Sequence, residues 1–287
     1  MSGNGIRTIA LAGAGTLGSV IAGELLAAKA SGDLDDVIIL TGGSSDAASQ
    51  YASQGARVEL VDYKDEGSLT KALQGADAVI STLNAIVIGA FQLSLAKAAK
   101  SAGAKLFVPS DFGNNNDGQP EGLLAEKASY YALIEGLGLS WATFYTGLFA
   151  DFALVPMFGF DFEKGLVTVG GDGSTPVSFT SRKDVARFVV YALTKFPFEQ
   201  LRNKFLRIHA SCKSFNEIVR IFEQKHGKKI ETHYIPLVEL EARMKKDPFD
   251  VFALLHHEWV KGRGAVGEPL DNEKWPEWNP APVEEFL

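Results

Sequence analysis

Short apolar runs alternate with amphipathic stretches through the first half of the chain. Apolar runs bounded by glycine or polar residues predict buried strands, and apolar residues spaced three and four apart predict helices packed on them. The predicted strands cover residues 6–12, 37–41, 56–61, 78–82, 105–109 and 140–145. The predicted helices cover residues 20–26, 47–53, 65–73, 90–102 and 124–137. This alternation predicts an α/β fold with a doubly wound parallel sheet.

The pattern changes after Gly147. Residues 148–160 are rich in bulky apolar side chains without a clear period, so a buried core segment and the wall of an apolar pocket explain them equally well. Further on, the pattern predicts helices over residues 182–194 and 214–226 and a strand over residues 205–209. The proline- and tryptophan-rich residues 275–282 predict an extended tail on the surface.

A glycine-rich turn separates the first predicted strand from the first predicted helix. In a dinucleotide site, Gly13 permits the tight turn, Gly15 lets the backbone approach a pyrophosphate, and Gly18 lets the helix pack closely on the strand. The helix N-terminus adds unpaired N–H groups and the positive end of a dipole. An ordinary glycine turn gives the same string, but the position between strand and helix favours a nucleotide cofactor.

The end of the second strand selects between the two nicotinamide dinucleotides. An acid there binds the ribose 2′-hydroxyl of NAD, and an arginine accepts the 2′-phosphate of NADP. This chain has neither, because Thr41 is followed by two glycines, Ser44 and Ser45. The serines and the glycine amides suit a phosphate, so we expect NADPH, with NADH not excluded and a plain turn as the alternative.

Composition narrows the class of protein. Of the 287 residues, 46% are hydrophobic and 22% charged, which is typical of a globular protein. The net charge of −7, without a basic run, argues against nucleic acid and anionic membranes as partners. Cys212 is the only cysteine, which fits a reducing compartment. With no recognisable signal peptide and with polar residues throughout the apolar stretch 76–99, we expect a cytoplasmic protein and leave a homodimer open.

Polar residues follow the fourth and fifth predicted strands, at the sheet edge where α/β proteins bind ligands. They include Thr82, Asn84 and Ser110, although such residues are as often helix caps. Lys127 opens a predicted helix, where the dipole disfavours a cation. On these residues alone a surface lysine is the simpler interpretation.

Other candidates are interpreted as structural. Asp184 and Arg187 form an exposed helical pair in this interpretation. Tyr191 and Lys195 match a short-chain-dehydrogenase pair but come one βα unit too late. His256 and His257 are adjacent and point apart on a helix, and no cluster has the spacing of a zinc site, so we expect no metal.

Several collinear motifs carry a family resemblance. They are Gly13-Ala-Gly-Thr-Leu-Gly18, Asp77-Ala-Val-Ile-Ser-Thr82, Leu106-Phe-Val-Pro-Ser-Asp-Phe-Gly113, Glu126-Lys127 ahead of Gly138, Gly171-Asp-Gly-Ser-Thr175, Ser214-Phe-Asn-Glu-Ile218 and Leu255-His-His-Glu-Trp-Val-Lys-Gly262. The chain thereby resembles the NmrA-like, isoflavone-reductase-like branch of the atypical short-chain dehydrogenases. That branch includes phenylcoumaran benzylic ether reductases and pinoresinol–lariciresinol reductases.

The resemblance implies an NADPH-dependent reductase of a small apolar, aromatic substrate. It implies a Rossmann domain over residues 1–153 and a smaller α/β substrate-binding domain over residues 154–287, with about 176–212 returning to the first sheet. Lys127 matches the lysine that serves as general acid or base. The expected cofactor contacts are Gly13, Gly15, Thr16, Leu17, Gly18, Thr41, Ser44, Ser45, Thr82, Leu83, Asn84, Ser110, Phe112, Lys127 and Thr146. The expected substrate contacts are Leu148, Phe149, Phe152, Met157, Phe158 and His256.

The chain departs from the family pattern at three positions. Ala12 replaces the first glycine, Thr41 and Gly42 stand where the NADP-selecting arginine belongs, and Leu123 stands where short-chain dehydrogenases carry a tyrosine. These departures leave an alternative function open, a non-catalytic NADP-sensing regulator.

Overall fold

Strands and helices alternate along the chain in the computed structural model, which describes residues 5–43, 46–116 and 122–287. The strands are β1 (Thr8–Ala12), β2 (Asp36–Thr41), β3 (Arg57–Leu60), β4 (Ala78–Ser81), β5 (Leu106–Val108), β6 (Phe112–Gly113), β7 (Ser140–Tyr145), β8 (Leu148–Phe149), β9 (Phe160–Asp161), β10 (Leu166–Gly170), β11 (Pro176–Thr180), β12 (Lys204–Arg207), β13 (Ser211–Ser214) and β14 (Glu231–Ile235). The helices are α1 (Gly18–Ala30), α2 (Asp46–Ser53), α3 (Glu66–Ala72), α4 (Ala85–Ser101), α5 (Gly122–Gly136), α6 (Arg182–Lys195), α7 (Phe215–His226), α8 (Leu237–Lys246) and α9 (Val251–Val260).

The chain divides into two compact units. The first comprises Met1–Asp111, Asn116–Phe144 and Ala186–Leu206, and the second comprises Phe112–Asn115, Tyr145–Val185 and Arg207–Leu287.

The first unit is built on one sheet with the strand order β12-β7-β5-β4-β1-β2-β3. The pairs from β3 through β7 are parallel, which confirms the predicted doubly wound sheet. All four residues of β4 are buried, because a central strand is covered on both faces, and the first three of them are consecutive apolar residues. The strand order reverses at β1, so the carboxyl ends of β1 and β4 bound the crevice where such sheets bind ligands.

The second unit contains two three-stranded sheets, ordered β14-β10-β9 and β13-β11-β8. Its core includes Phe179, Phe215 and Trp259. Helix α7 begins with a capping box, in which the Ser214 hydroxyl accepts from the Glu217 amide and the Glu217 carboxylate accepts from the Ser214 amide.

Three predictions about local structure were wrong. Helix α4 begins at Ala85 rather than at residue 90, because the Asn84 carbonyl accepts from the Val87 and Ile88 amides. Asp184 does not belong to an exposed pair, because it is only 4% exposed and accepts from the Ser181 hydroxyl. The tail over residues 275–282 is not extended throughout, because it starts in a turn in which the Trp278 amide donates to the Trp275 carbonyl at 2.9 Å, and Trp278 is buried rather than on the surface.

Candidate functional site

The glycine turn after β1 has the shape of an anion cradle. A Cβ on Gly18 would lie 2.1 Å from the Gly13 carbonyl oxygen, so only glycine allows α1 to start this close to the strand. A Cβ on Gly15 would meet nothing within 4 Å, so the face above it is open. Leu17 occupies the N-cap position of α1 without a side-chain hydrogen bond, and the first turn carries no acid. Its N-terminus is therefore suited to a phosphate group.

Thr82 fixes this turn to the end of β4. Its amide donates to the Ala12 carbonyl at 2.8 Å, and its hydroxyl donates to the Gly13 carbonyl at 2.5 Å. Gly13 has a φ of 93°, in the left-handed region that favours glycine. The predicted contacts Gly13, Gly18 and Thr82 thus lie together, while Thr16 is exposed beside them.

The structure adds Tyr63, which the sequence analysis missed. This residue follows β3, and its hydroxyl accepts from the Gly13 amide. Its ring centroid lies 6.0 Å from that of Phe91, and its Cε2 would lie 4.0 Å from a Cβ on Gly42. Burial raises the pKa of Tyr63 to about 12, so the hydroxyl stays neutral. An aromatic residue just after the third strand was the available signal.

The turn after β2 is held by Thr41. Its hydroxyl donates to the Gly43 carbonyl at 2.6 Å and accepts from the Gly43 amide at 3.3 Å. Ser44 and Ser45, predicted to bind a phosphate, lie outside the described residues. Their contacts stay predictions.

The carboxyl ends of β4 and β5 are joined by Ser110. The Ser110 hydroxyl donates to the Leu83 carbonyl at 2.8 Å, and its amide donates to the buried Gln92 side chain at 2.7 Å. Asn84 is exposed at the start of α4. The structure therefore brings Thr82, Leu83, Asn84 and Ser110 to one edge of the first unit's sheet.

Lys127 is paired with Asp111 at the same edge. The Lys127 Nζ lies 3.2 Å from Asp111 Oδ1, and the two side chains are 20% and 3% exposed. Asp111 Oδ2 accepts from the Asn116 amide group and the Tyr131 hydroxyl. Lys127 lies inside α5, which begins at Gly122, so the prediction that it opens the helix was wrong. Asp111 belongs to the motif Leu106-Phe-Val-Pro-Ser-Asp-Phe-Gly113, but its pairing with Lys127 was not predicted.

The remaining predicted contacts lie in the second unit. Thr146 is fully buried, with its amide donating to Gly113 at 3.0 Å and its carbonyl accepting from the Thr180 hydroxyl at 2.8 Å. Phe112 is half-buried in β6. A cofactor contact by Thr146 or Phe112 stays a prediction.

The apolar run 148–160 is partly core and partly surface. Ala150 and Phe160 are buried in the second unit's core, whereas Phe152 and Met157 are 40% and 66% exposed. The ring centroids of Phe152 and Phe158 lie 6.5 Å apart, edge to face. Leu148 and Phe149 are half-buried in β8. The core interpretation therefore applies to Ala150 and Phe160, and a pocket wall formed by the more exposed residues of the run stays a prediction.

His256, a predicted substrate contact, is 1% exposed. Its Nδ1 accepts from the Gly170 amide at 2.9 Å, and its Nε2 lies 3.1 Å from the Phe158 carbonyl, to which it donates. Its ring stacks on Phe252 at 4.1 Å. Both ring nitrogens are thus bound to backbone, as in a core residue, and a contact with substrate stays a prediction.

This arrangement predicts a pH-dependent stability. Burial lowers the pKa of His256 to about 4, although the hydrogen bond to Phe158 acts in the opposite direction. Below pH ~6.5 the unfolded chain binds a proton that the folded protein does not, so stability is complete above that pH and falls by about 3 kcal/mol by pH ~4. We expect urea unfolding of His256→Gln to lack this part of the difference between pH ~7 and ~4. The matched variant His233→Gln changes a histidine whose side chain is 56% exposed and should retain this pH-dependent loss of stability. The same loss of unfolding free energy in both variants would contradict its assignment to His256.

Among residues 5–43, 46–116 and 122–287, no group of His, Cys, Asp or Glu side chains could hold a metal ion. No helix in this part of the chain is both long and apolar enough to cross a membrane.

Comparison with known proteins gives consistent matches. The sequence matches the profile of the NmrA-like family over residues 7–287. It is 30% identical to a phenylcoumaran benzylic ether reductase of Ginkgo biloba over 258 residues, 83% of this chain and 82% of that protein. The fold matches the leucoanthocyanidin reductase–NADPH complex of Vitis vinifera with a TM-score of 0.83 and 22% identity, over 97% of both chains. It also matches AtPrR2 with NADP⁺ and (+)-pinoresinol, with a TM-score of 0.83 and 22% identity, over 98% of this chain and 97% of that one.

Proposed function

The chain belongs to the NmrA-like family, and we propose that it is an NADPH-dependent reductase of an apolar, aromatic substrate with Lys127 as its general acid. The observation that carries the proposal is the sheet edge of the first unit. There the open glycine turn follows β1, and Asp111, which is paired with Lys127, follows β5. Strands β1 and β5 are the two neighbours of β4 in the sheet. The named activities of the relatives support the same reaction class.

The residues present fit the cofactor. The open face of Gly15 and the N-terminus of α1 suit its pyrophosphate, and Gly42 and Tyr63 border the turn where its adenosine would bind. Asn84 and Ser110 would hold the nicotinamide end. When bound, NADPH supplies the hydride.

Lys127 would supply the matching proton. Hydride addition delivers two electrons and leaves negative charge on the substrate, so one proton completes the reduction. The ammonium group carries three N–H donors, and its 20% exposed side chain keeps access to solvent, from which the proton is replaced. The substrate contacts of Leu148, Phe149, Phe152, Met157 and Phe158 stay proposals, of which Phe152 and Met157 offer the most exposed apolar surface.

We expect NADPH to stabilise the protein more than NADH at equal concentration. No acid stands at Thr41 to bind a ribose 2′-hydroxyl, and no arginine pairs with a 2′-phosphate. The preference should therefore stay at about 1–2 kcal/mol, near the lower end of the range for hydrogen bonds to charged groups. Thermal shifts with both cofactors measure it, since ligand stabilisation depends on concentration relative to Kd. A larger shift with NADH would reverse the assignment.

Turnover tests the function itself. The purified protein is incubated with NADPH and, separately, (+)-pinoresinol, a phenylcoumaran and an isoflavone, and the loss of reduced-nicotinamide absorbance is followed. Oxidation that depends on one of these aromatic compounds is the expected result. Tight binding of NADPH without its oxidation in the presence of any of these compounds would favour the alternative function, an NADP-sensing regulator. The absence of the family's arginine and of the short-chain-dehydrogenase tyrosine supports that alternative.

A further inference from the structure

Two side chains of helix α5 contact the carboxylate of Asp111. Lys127 and Tyr131 are four residues apart, so they lie on the same face of the helix. Lys127 Nζ lies 3.2 Å from Asp111 Oδ1, and the Tyr131 hydroxyl donates to Oδ2 of the same carboxylate. The two oxygens of Asp111 are thus assigned to different partners, which sets the rotation of the carboxylate.

Tyr131 is itself fixed by aromatic packing. Its ring stacks on Trp141 of β7 at 4.5 Å and meets Phe205 of β12 edge-on at 5.1 Å. The Trp141 Nε1 donates to Glu135 of α5 at 3.0 Å, which ties the same helix to β7 a second time. The position of the Tyr131 hydroxyl therefore follows from the core of the first unit.

Asp111 is held from its other sides as well. Its amide donates to the Pro109 carbonyl at 2.8 Å, its carbonyl accepts from the Thr143 hydroxyl at 3.2 Å, and Asn116 donates to Oδ2. A carboxylate that is 3% exposed is costly to bury unless it is paired and hydrogen-bonded. A lysine side chain, by contrast, has a long flexible stem that does not fix its own ammonium group.

We infer that Asp111 is a positioning residue, whose buried carboxylate, oriented by Tyr131 and Asn116, holds the Lys127 ammonium at the carboxyl edge of the sheet. The inference rests on the proposed function for its catalytic consequence, but the placement of Lys127 can be measured without substrate. Asp111 does not touch the reacting atoms in this scheme and acts only through Lys127.

The chain contains a matched control pair. Asp77 precedes β4 at the opposite edge of the sheet, and its Oδ1 lies 2.7 Å from Lys105 Nζ. Its Oδ2 accepts from the amides of Arg7 and Thr8. Asp77→Asn and Asp111→Asn therefore each remove the charge from a lysine-paired carboxylate, at two different edges of one unit.

The first measurement is trace acetylation of the folded protein with acetic anhydride, read for each lysine by peptide mass spectrometry. In Asp111→Asn, Lys127 should react about three- to tenfold faster, because its flexible side chain is no longer held against the carboxylate and the amine becomes more accessible to the reagent. In Asp77→Asn, Lys105 should respond and Lys127 should not. Calorimetry should give the same NADPH affinity for wild type and Asp111→Asn within about twofold. An unchanged rate at Lys127 in folded Asp111→Asn would overturn the inference.

A milder variant covers the case in which Asp111→Asn does not fold. Tyr131→Phe removes one hydrogen bond to the carboxylate and keeps the ion pair, so Lys127 should react about twofold faster. If neither the acetylation of Lys127 nor the single-turnover rate changes in Tyr131→Phe, the inference is overturned.

The second measurement uses the aromatic probe that the wild type reduces fastest. Asp111→Asn should lower the single-turnover rate about 10–100-fold, with KM changed much less, as misplacement of a catalytic group does. In a Lys127→Ala background the same substitution should add nothing, because both act through one group. A further loss in the double variant would overturn the inference. If no probe is reduced, the proposed function fails, while the acetylation result still decides how Lys127 is held.

Discussion

Gly15→Val is expected to lower the affinity for NADPH about 100-fold while the protein keeps its fold. A Cβ on Gly15 meets nothing within 4 Å, and the residue is exposed, so the branched side chain has room in the free protein. It would occupy the open face where the pyrophosphate must approach. Overpacking of this kind costs up to about 3 kcal/mol, which corresponds to about 100-fold in Kd. Isothermal calorimetry with NADPH measures the change.

Two further glycines make the result specific. Gly23→Val adds the same side chain to an exposed position of α1 with nothing within 4 Å, so both affinity and melting temperature should stay close to wild type. Gly18→Ala should instead destabilise the fold, because its Cβ would lie 2.1 Å from the Gly13 carbonyl oxygen. Unchanged NADPH binding in Gly15→Val would exclude this turn as the pyrophosphate site.

The parallel sheet could be predicted because its strands are buried on both faces. Such strands contain continuous apolar runs, as residues 9–12 of β1 and 78–80 of β4 do, and each glycine of the turn between β1 and α1 has its own physical role. The start of α4 was placed too late for a different reason. The first turn of this helix is apolar and contains β-branched residues, so the sequence does not distinguish it from the loop before it. The helix start is set instead by the Asn84 carbonyl, which accepts from the Val87 and Ile88 amides.

The second unit was harder because its strands are short and depend on distant partners. Strands β8 and β9 have two residues each, and β10 pairs with β14, which comes after α6 and α7 in the chain. Pairing over such distances leaves no local period. His256 shows the same limit for side chains. The sequence does not distinguish a histidine that contacts a ligand from one that packs in the core, because the difference lies in hydrogen-bond partners that are distant in the chain.

The candidate site was only partly predictable for a related reason. Glycines and strand ends are local signals, and they led to Gly13, Gly18, Thr82 and Ser110. Burial of a carboxylate is a tertiary property, so Asp111 could not be recognised as the partner of Lys127. The sequence argument placed Lys127 at a helix start, whereas it lies inside α5 and its charge is compensated by that carboxylate.

Lys127→Ala is expected to lower turnover about 10²–10⁴-fold with NADPH affinity nearly intact, the usual contribution of a positioned acid–base group. Lys127→Arg should not restore it, because a guanidinium stays protonated at any working pH and cannot pass on a proton. Single-turnover NADPH oxidation with the reducible aromatic probe, beside a cofactor titration, measures both quantities.

The pattern of loss separates three roles for Lys127. A proton donor loses rate and keeps affinity, whereas a group that anchors the cofactor ribose loses affinity, and a solvated surface group loses neither. Lys105→Ala is the matched control, because Lys105 is also paired with a carboxylate but lies at the opposite edge of the sheet and is 51% exposed. It should keep both rate and affinity. Full activity in Lys127→Ala would remove the proposed mechanism.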